Sequence, residues 1–370
     1  MRNNNVLGIV FAGANEECVS ELTVARSSAS IPFGGRYRLV DFALSNLVNA
    51  GVGKVGIITK SNYQSLMDHI GSAKSWDLDR KHGGLHILPP YGSAGAGVYK
   101  GEVDALHGIS HFLDRSQEQY VVICKGNVAI NIDISDMLEQ HISSGADITV
   151  AYKHGTPPVG METMTLSFTG DRIDRVMLYD EPIDNADFSL GIMIIPRMLL
   201  KSLVSKAAAE NKTSLARDII MPNLQSLVIK GYEFTGFVGI MDSMQSYVEA
   251  NMQLLSPTVR ADVFNKSRPV YTKVKDSMPT RYGVNSDVKN SLIADGCVIE
   301  GTVKNSILFR GVHVGKGAVV ENCIIMQGTE IGTGANLKYV TLDKEVTVGN
   351  NRELCGAPSY SIYIKKGAEV

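Results

Sequence analysis

At 370 residues the chain exceeds one ordinary compact core, which predicts two domains, and its 44% hydrophobic content is enough to fill them. A formal net charge of -2, with Lys and Arg scattered rather than run together, excludes the basic footprint of a nucleic-acid binder. The opening "MRNNNVLGIVFAGANEE" holds no apolar stretch long enough for a membrane span, and the five cysteines form no CxxC pair. A soluble cytoplasmic protein with reduced, mostly interior thiols is expected.

Along the chain, short β-branched runs alternate with longer amphipathic patterns: "NVLGIVFAG", "LVDFALSNLVNAGV", "KVGIITK", "YQSLMDHI", "YVVICKGNVAI", "DISDMLEQHISSG", "DITVAY". Strand and helix in succession predict an α/β domain over 1–255, built on a mostly parallel sheet with helices on both faces. Ligands on such sheets bind beyond the carboxyl ends of the strands, so chemistry is sought in the loops after "GIVFAG" and "VVICKGN". The stretch 256–285, rich in proline and charge and poor in periodicity, reads as a connector over the surface.

From 286 to 370 the pattern changes to short Ile/Val runs punctuated by Gly. A phrase of the form apolar, x, x, Gly, small, x, apolar, charged recurs in "IADGCVIE", "VGKGAVVE" and "IGTGANLK". Coils of about eighteen residues with apolar corners turned inward would produce it, which predicts a β-helix of hexapeptide units. Its interior is expected to hold Ile293, Ile299, Val314, Val320, Ile331 and Leu337. A β-sandwich with evenly spaced turns is the alternative for such short apolar strands. A prism of this kind leaves its ends open and is expected to dock on its own first domain or on another subunit.

The phrases "IPFGGRYRLVDFALSNLVNAGV", "GSAKSWDLDR", "GGLHILPPY", "VYKGEVDAL" and "YVEANMQLL" closely resemble the ADP-glucose pyrophosphorylase family. Its members make ADP-glucose from ATP and glucose 1-phosphate for glycogen or starch. The resemblance implies a Rossmann-like, GT-A-like nucleotidyltransferase domain, a left-handed parallel β-helix and a tetramer.

Set against that family, the loop "FAGANEEC" (11–18) departs from what a triphosphate needs. Active members carry several glycines and an arginine here, whereas this chain keeps Gly13 alone and adds Glu16 and Glu17. Two carboxylates beside a polyanion repel it. The family's lysine and proline are replaced by Ser28 and Ala29, and its first magnesium-binding aspartate by Asn127. The second aspartate aligns at Ile240, with Asp242 two positions on as the only other candidate. On the sugar side, Glu-Lys-Pro has become Asp180, Glu181 and Pro182, and Asp-Phe-Gly has become Ser214, Leu215 and Ala216.

The kept frame and erased chemistry resemble the family's non-catalytic regulatory subunits. That implies no catalytic residue and no metal ligand in this chain, and no cofactor of its own, Mg2+ being used by a catalytic homologous subunit in a hetero-oligomer, expected as a tetramer. Gly13, Gln64, Gly101, Asp104, Asn127, Ser189 and Gly191 are expected to line a remnant nucleotide-sugar pocket. Arg26 and Arg38 match effector-contacting positions, implying a small phosphorylated effector, and Arg36 and Lys100 lie in similarly retained phrases. Trp76 reads as an anchor of the core rather than a stacking platform. Two other readings remain open: an active nucleotidyltransferase using Asn127 and Asp242, and a stand-alone sugar-nucleotide sensor.

Overall fold

The computed structural model describes residues 3–13, 16–90, 99–158, 162–179, 181 and 183–370. Its central element is a nine-stranded sheet. From one edge the order is Gly84–Leu88, Val52–Ile58, Asn3–Phe11, Tyr120–Lys125, Ala186–Pro196, Ile148–Gly155, Ile229–Glu233, Arg172–Tyr179 and Thr163–Thr169. The first four strands run parallel, as the alternating pattern predicts. Beyond them the sheet is mixed, because Ala186–Pro196 runs antiparallel to both its neighbours and the hairpin 163–179 closes the far edge. The strands carry near-continuous apolar runs because both faces are covered. Val6, Val10 and Val122 face one buried cluster, and Leu7, Ile9 and Ile123 face the other.

The stretch expected as an irregular connector is more ordered than its composition suggests. It opens with a helix, Pro257–Val263, started by Pro at its first position, and ends in the strand Arg281–Tyr282, already part of the first coil of the β-helix.

The second domain is a left-handed parallel β-helix with three faces of five strands each. One face stacks Ile299, Val314, Ile331 and Val348 in register, and the next stacks Val303, Val320, Leu337 and Leu354. Of the expected interior residues, Ile299, Val314, Val320, Ile331 and Leu337 are buried, whereas Ile293, in the first coil, is only half-buried. Asn290, Asn305 and Asn322, followed by Tyr339, take positive φ at the same corner of successive coils. Asn tolerates this left-handed conformation, and the Asn290 amide donates to Asn305 Oδ1 at 2.8 Å, so the corner is a ladder as well as a turn.

On the third face both residues of the strands Ile307–Leu308 and Ile324–Ile325 are buried. Leu308 and Ile325 point into the prism, while Ile307 and Ile324 point outward against Phe33, Phe42, Tyr247 and Leu254 of the first domain. The prism thus docks along its side on its own first domain. The phrase "IPFGGRYRLVDF" lies at this seam: Tyr37 stacks on Phe264 at 4.9 Å, Gly34 donates to buried Asn251, and Arg36 pairs with Asp295 of the prism. Trp76 is buried edge-on to His69, as an anchor would be. Cys124, Cys297 and Cys323 are interior, whereas Cys18 is half-buried and Cys355 exposed. Among the described residues no helix is long and apolar enough to cross a membrane.

Candidate functional site

A cleft opens at the carboxyl ends of Asn3–Phe11, Val52–Ile58 and Tyr120–Lys125, where parallel strands leave room between their following loops. Gly13, Gly101, Asn127, Ser189 and Gly191 all line it, together with Ser214, Leu215, Ala216 and Ile240. Gln64 and Asp104 do not. The Gln64 amide is turned along its own helix to Asp68 at 2.8 Å, and the Asp104 carboxylate accepts from the backbone N–H of Lys100 at 3.0 Å. Both are therefore corrected from lining residues to local supports.

The two sides of the cleft are built differently. On the sugar side Gly191 has φ +69 and lies under the Lys125 stem, so a Cβ there would meet Lys125 Cδ at 2.6 Å. Its N–H donates to Ser189 Oγ at 3.2 Å. Lys125 sits 3.8 Å from Glu102, whose carboxylate also accepts from the N–H of Leu215. Asp180 and Pro182 lie outside the described residues.

On the other side, the loop expected to repel a triphosphate folds onto itself. Glu16 Oε1 accepts from the N–H of Ser28 at 3.3 Å, and Oε2 accepts from Ser61 Oγ at 3.4 Å. Burial pushes its carboxyl above the usual range, partly offset by those bonds and by the nearby Lys60 ammonium. Glu17 is exposed. Ser28 is locked from beneath, its hydroxyl donating to Ala12 O at 3.1 Å. Sequence reasoning missed Lys60 and Lys125, which line the cleft beside Lys100. Each follows or ends a parallel strand, "GIITK" and "VVICK", and that position was the available signal.

The metal positions do not fit a divalent cation. Asn127 is fully buried, and neither its amide nitrogen nor its oxygen has a hydrogen-bond partner among the described residues. Ile240 offers no ligand atom, and Asp242 lines a neighbouring depression rather than this cleft. Among the described residues no group of three His, Cys, Asp or Glu side chains is placed to hold a metal ion. Hard cations require several anionic oxygens, which this donor set lacks.

The expected effector residues lie at the seam between the domains. Arg26 is 2% exposed and its guanidinium donates to both oxygens of Asp343 in the β-helix, at 2.8 and 2.9 Å. As an open phosphate contact it is corrected to a buried ion pair, although Nη1 keeps no partner among the described residues. Arg38 donates to the carbonyl and hydroxyl of Ser65, and burial lowers its guanidinium to about 10. Beside them the Lys344 ammonium is lowered to about 7, first by burial and then by repulsion from Arg38, Arg26 and Lys366. The seam thus gathers basic groups together with carboxylates: Asp343 pairs with Arg26, Asp41 and Asp68 act on Arg38, and Glu345 pairs with Lys366 at 3.4 Å.

Residues 7–159 match the nucleotidyl transferase family model, and residues 276–357 match the model described as GlmU-like, C-terminal hexapeptide. The glycogen biosynthesis protein GlgD of Bacillus subtilis (strain 168) is 39% identical over 370 residues, covering 99% of this chain and 97% of its own. The GlgD of Geobacillus stearothermophilus is 38% identical over 86% of this chain and 83% of its own. A glucose-1-phosphate adenylyltransferase of Thermosipho africanus is 33% identical over 85% of this chain and 78% of its own. With relatives so alike over nearly all of its length, and with the two-domain frame they imply, the chain belongs to the family of GlgD glycogen biosynthesis proteins and glucose-1-phosphate adenylyltransferases.

Proposed function

We propose that this chain is a regulatory, catalytically silent subunit for bacterial glycogen synthesis, and that it modulates a catalytic homologue making ADP-glucose and pyrophosphate from ATP and glucose 1-phosphate. The observation that carries the reading is the floor of the cleft, where a partnerless amide and an isoleucine stand at the two metal positions and a carboxylate covers the triphosphate side. Phosphoryl-type transfer depends on positioning and charge stabilisation, and the missing metal carboxylates and the occupied triphosphate side argue against both. Mg2+ belongs to the partner's reaction. The partner is engaged in a cytoplasmic hetero-oligomer, a tetramer in this reading. Arg38 and Lys344, gathered at the seam beside the Arg26–Asp343 pair, support a small phosphorylated effector as the ligand there.

The isolated chain is expected to make no ADP-glucose above background in the presence of Mg2+, and Asn127→Asp alone is expected not to restore it. Robust Mg2+-dependent turnover by the unmodified chain would favour the active-enzyme reading. Mixing the purified subunits is expected to change the assembly mass and to shift the partner's maximal rate, substrate affinity or effector response, through a coupling of about 1 to 3 kcal/mol. Neither change on mixing would overturn the regulatory role and favour the stand-alone sensor.

A further inference from the structure

The carboxylate of Glu16 sits where three favourable groups converge. The backbone N–H of Ser28 points at one oxygen and the Ser61 hydroxyl at the other, and Lys60 attracts the whole group. The Ser28 N–H is held in place independently of Glu16, because the neighbouring Ala29 N–H and the Ser28 hydroxyl both donate to Ala12 O, each at 3.1 Å. Gly13 completes the wall; a Cβ there would meet Lys60 Cβ at 3.0 Å and Glu16 Oε1 at 3.4 Å. A backbone N–H and a hydroxyl donating to the two oxygens of one anionic group, with an ammonium charge nearby, is a donor set that takes a phosphate. Its occupant is a side chain of the same protein.

We propose that Glu16 is a built-in occupant of a working anion cradle formed by Ser28, Ser61 and Lys60, and that it restricts the cleft to ligands uncharged at that end. The inference rests on the reading of this cleft as a remnant nucleotide-sugar pocket and deepens it: the triphosphate side is not dismantled but filled. Glu17 has no part in the device, since it is exposed one position away. A polyphosphate entering the cradle must displace an anion from its donors and then remain beside it. Removing that one carboxylate leaves the donors standing.

The test measures binding of inorganic tripolyphosphate, without divalent cations, to the isolated full chain by titration calorimetry. Wild type is expected to bind weakly or not at all. Glu16→Ala and Glu16→Gln are expected to bind at least about tenfold more tightly, the gain falling away when Lys60→Ala is added, whereas Glu17→Ala stays like wild type. The Gln variant keeps the shape of the side chain, so a folded protein is available if the Ala variant is unstable, and thermal unfolding confirms it. No tightening in a folded Glu16 variant overturns the proposal. Equal tightening by Glu17→Ala also overturns it, because only bulk charge would then be at work. No partner subunit enters this experiment, so its failure is separate from failure of the regulatory reading.

Discussion

Val320→Asp is expected to lower the melting temperature of the β-helix by about 10 °C or more, or to prevent its folding, whereas Val319→Asp leaves it nearly unchanged. Val320 is fully buried between Val303 and Leu337 in the stack, while Val319, its neighbour in the same strand, is 36% exposed on the outer surface. An aspartate at 320 would carry its charge into a prism lined by aliphatic side chains, and the effective penalty for an unpaired buried ion is several kcal/mol even after relaxation. A domain of this size loses roughly 4 to 8 °C per kcal/mol, which sets the scale of the shift. The comparison of adjacent positions removes β-propensity and net charge as explanations. Calorimetry of the two variants checks it, and a wild-type melting curve for Val320→Asp would show the inward register to be wrong.

Asp343→Ala is expected to destabilise the protein by about 3 to 5 kcal/mol, more than Arg26→Ala does. The asymmetry comes from what each partner keeps. Without Asp343 the Arg26 guanidinium loses both of its bonds, has Nη1 already unpartnered, and remains buried near Arg38 and Lys344. Without Arg26, Asp343 still accepts from the Tyr363 hydroxyl at 2.9 Å and from the N–H of Lys344 at 2.7 Å. A paired apolar replacement, Arg26→Met with Asp343→Leu, is expected to recover most of the loss, because desolvation of the charges disappears with them. Denaturant unfolding of the two alanine variants and of the Met/Leu double variant checks these expectations. Equal losses in the two single variants would mean that the residual partners of Asp343 contribute nothing.

What the sequence made legible follows from period and position. The recurrence of Ile299, Val314, Val320, Ile331 and Leu337 marked the interior because short strands turned by a fixed corner return the same phase to the axis. The half-buried Ile293 escaped because the first coil has no coil before it to cover it. In the first domain the parallel strands announced themselves as apolar runs, and the loops following them located the cleft. The antiparallel half of the sheet does not follow from strand–helix alternation, since hairpin 163–179 has no helix between its strands; the strict polar/apolar alternation of "TMTLSFT" was the available signal. Gln64 and Asp104 were misplaced because a few residues of helix phase decide whether a polar group meets the cleft or a neighbouring turn, here the Asp68 side chain and the Lys100 N–H, and the motif does not encode that phase. The pairing of Arg26 with Asp343 spans 317 residues and has no local pattern that would reveal it.

That span has a consequence in time. The segment 20–28, whose Ser28 N–H donates to Glu16, is tethered to residues far along the chain: Asp343 holds Arg26, and the Tyr363 hydroxyl donates to Glu21 O across 342 residues. During synthesis the strands of the first domain can assemble as soon as they emerge, because most of their partners are nearby. Bonds to Ala12 and Asn62 set the path of segment 20–28 locally, but its tethers to Asp343 and Tyr363 form only after the later coils of the prism have been made and have packed on the seam, loop closures over 317 and 342 residues. The newly made protein therefore passes through an interval in which its sheet is formed and these two tethers are still missing, an interval that lasts at least until residue 363 has been added.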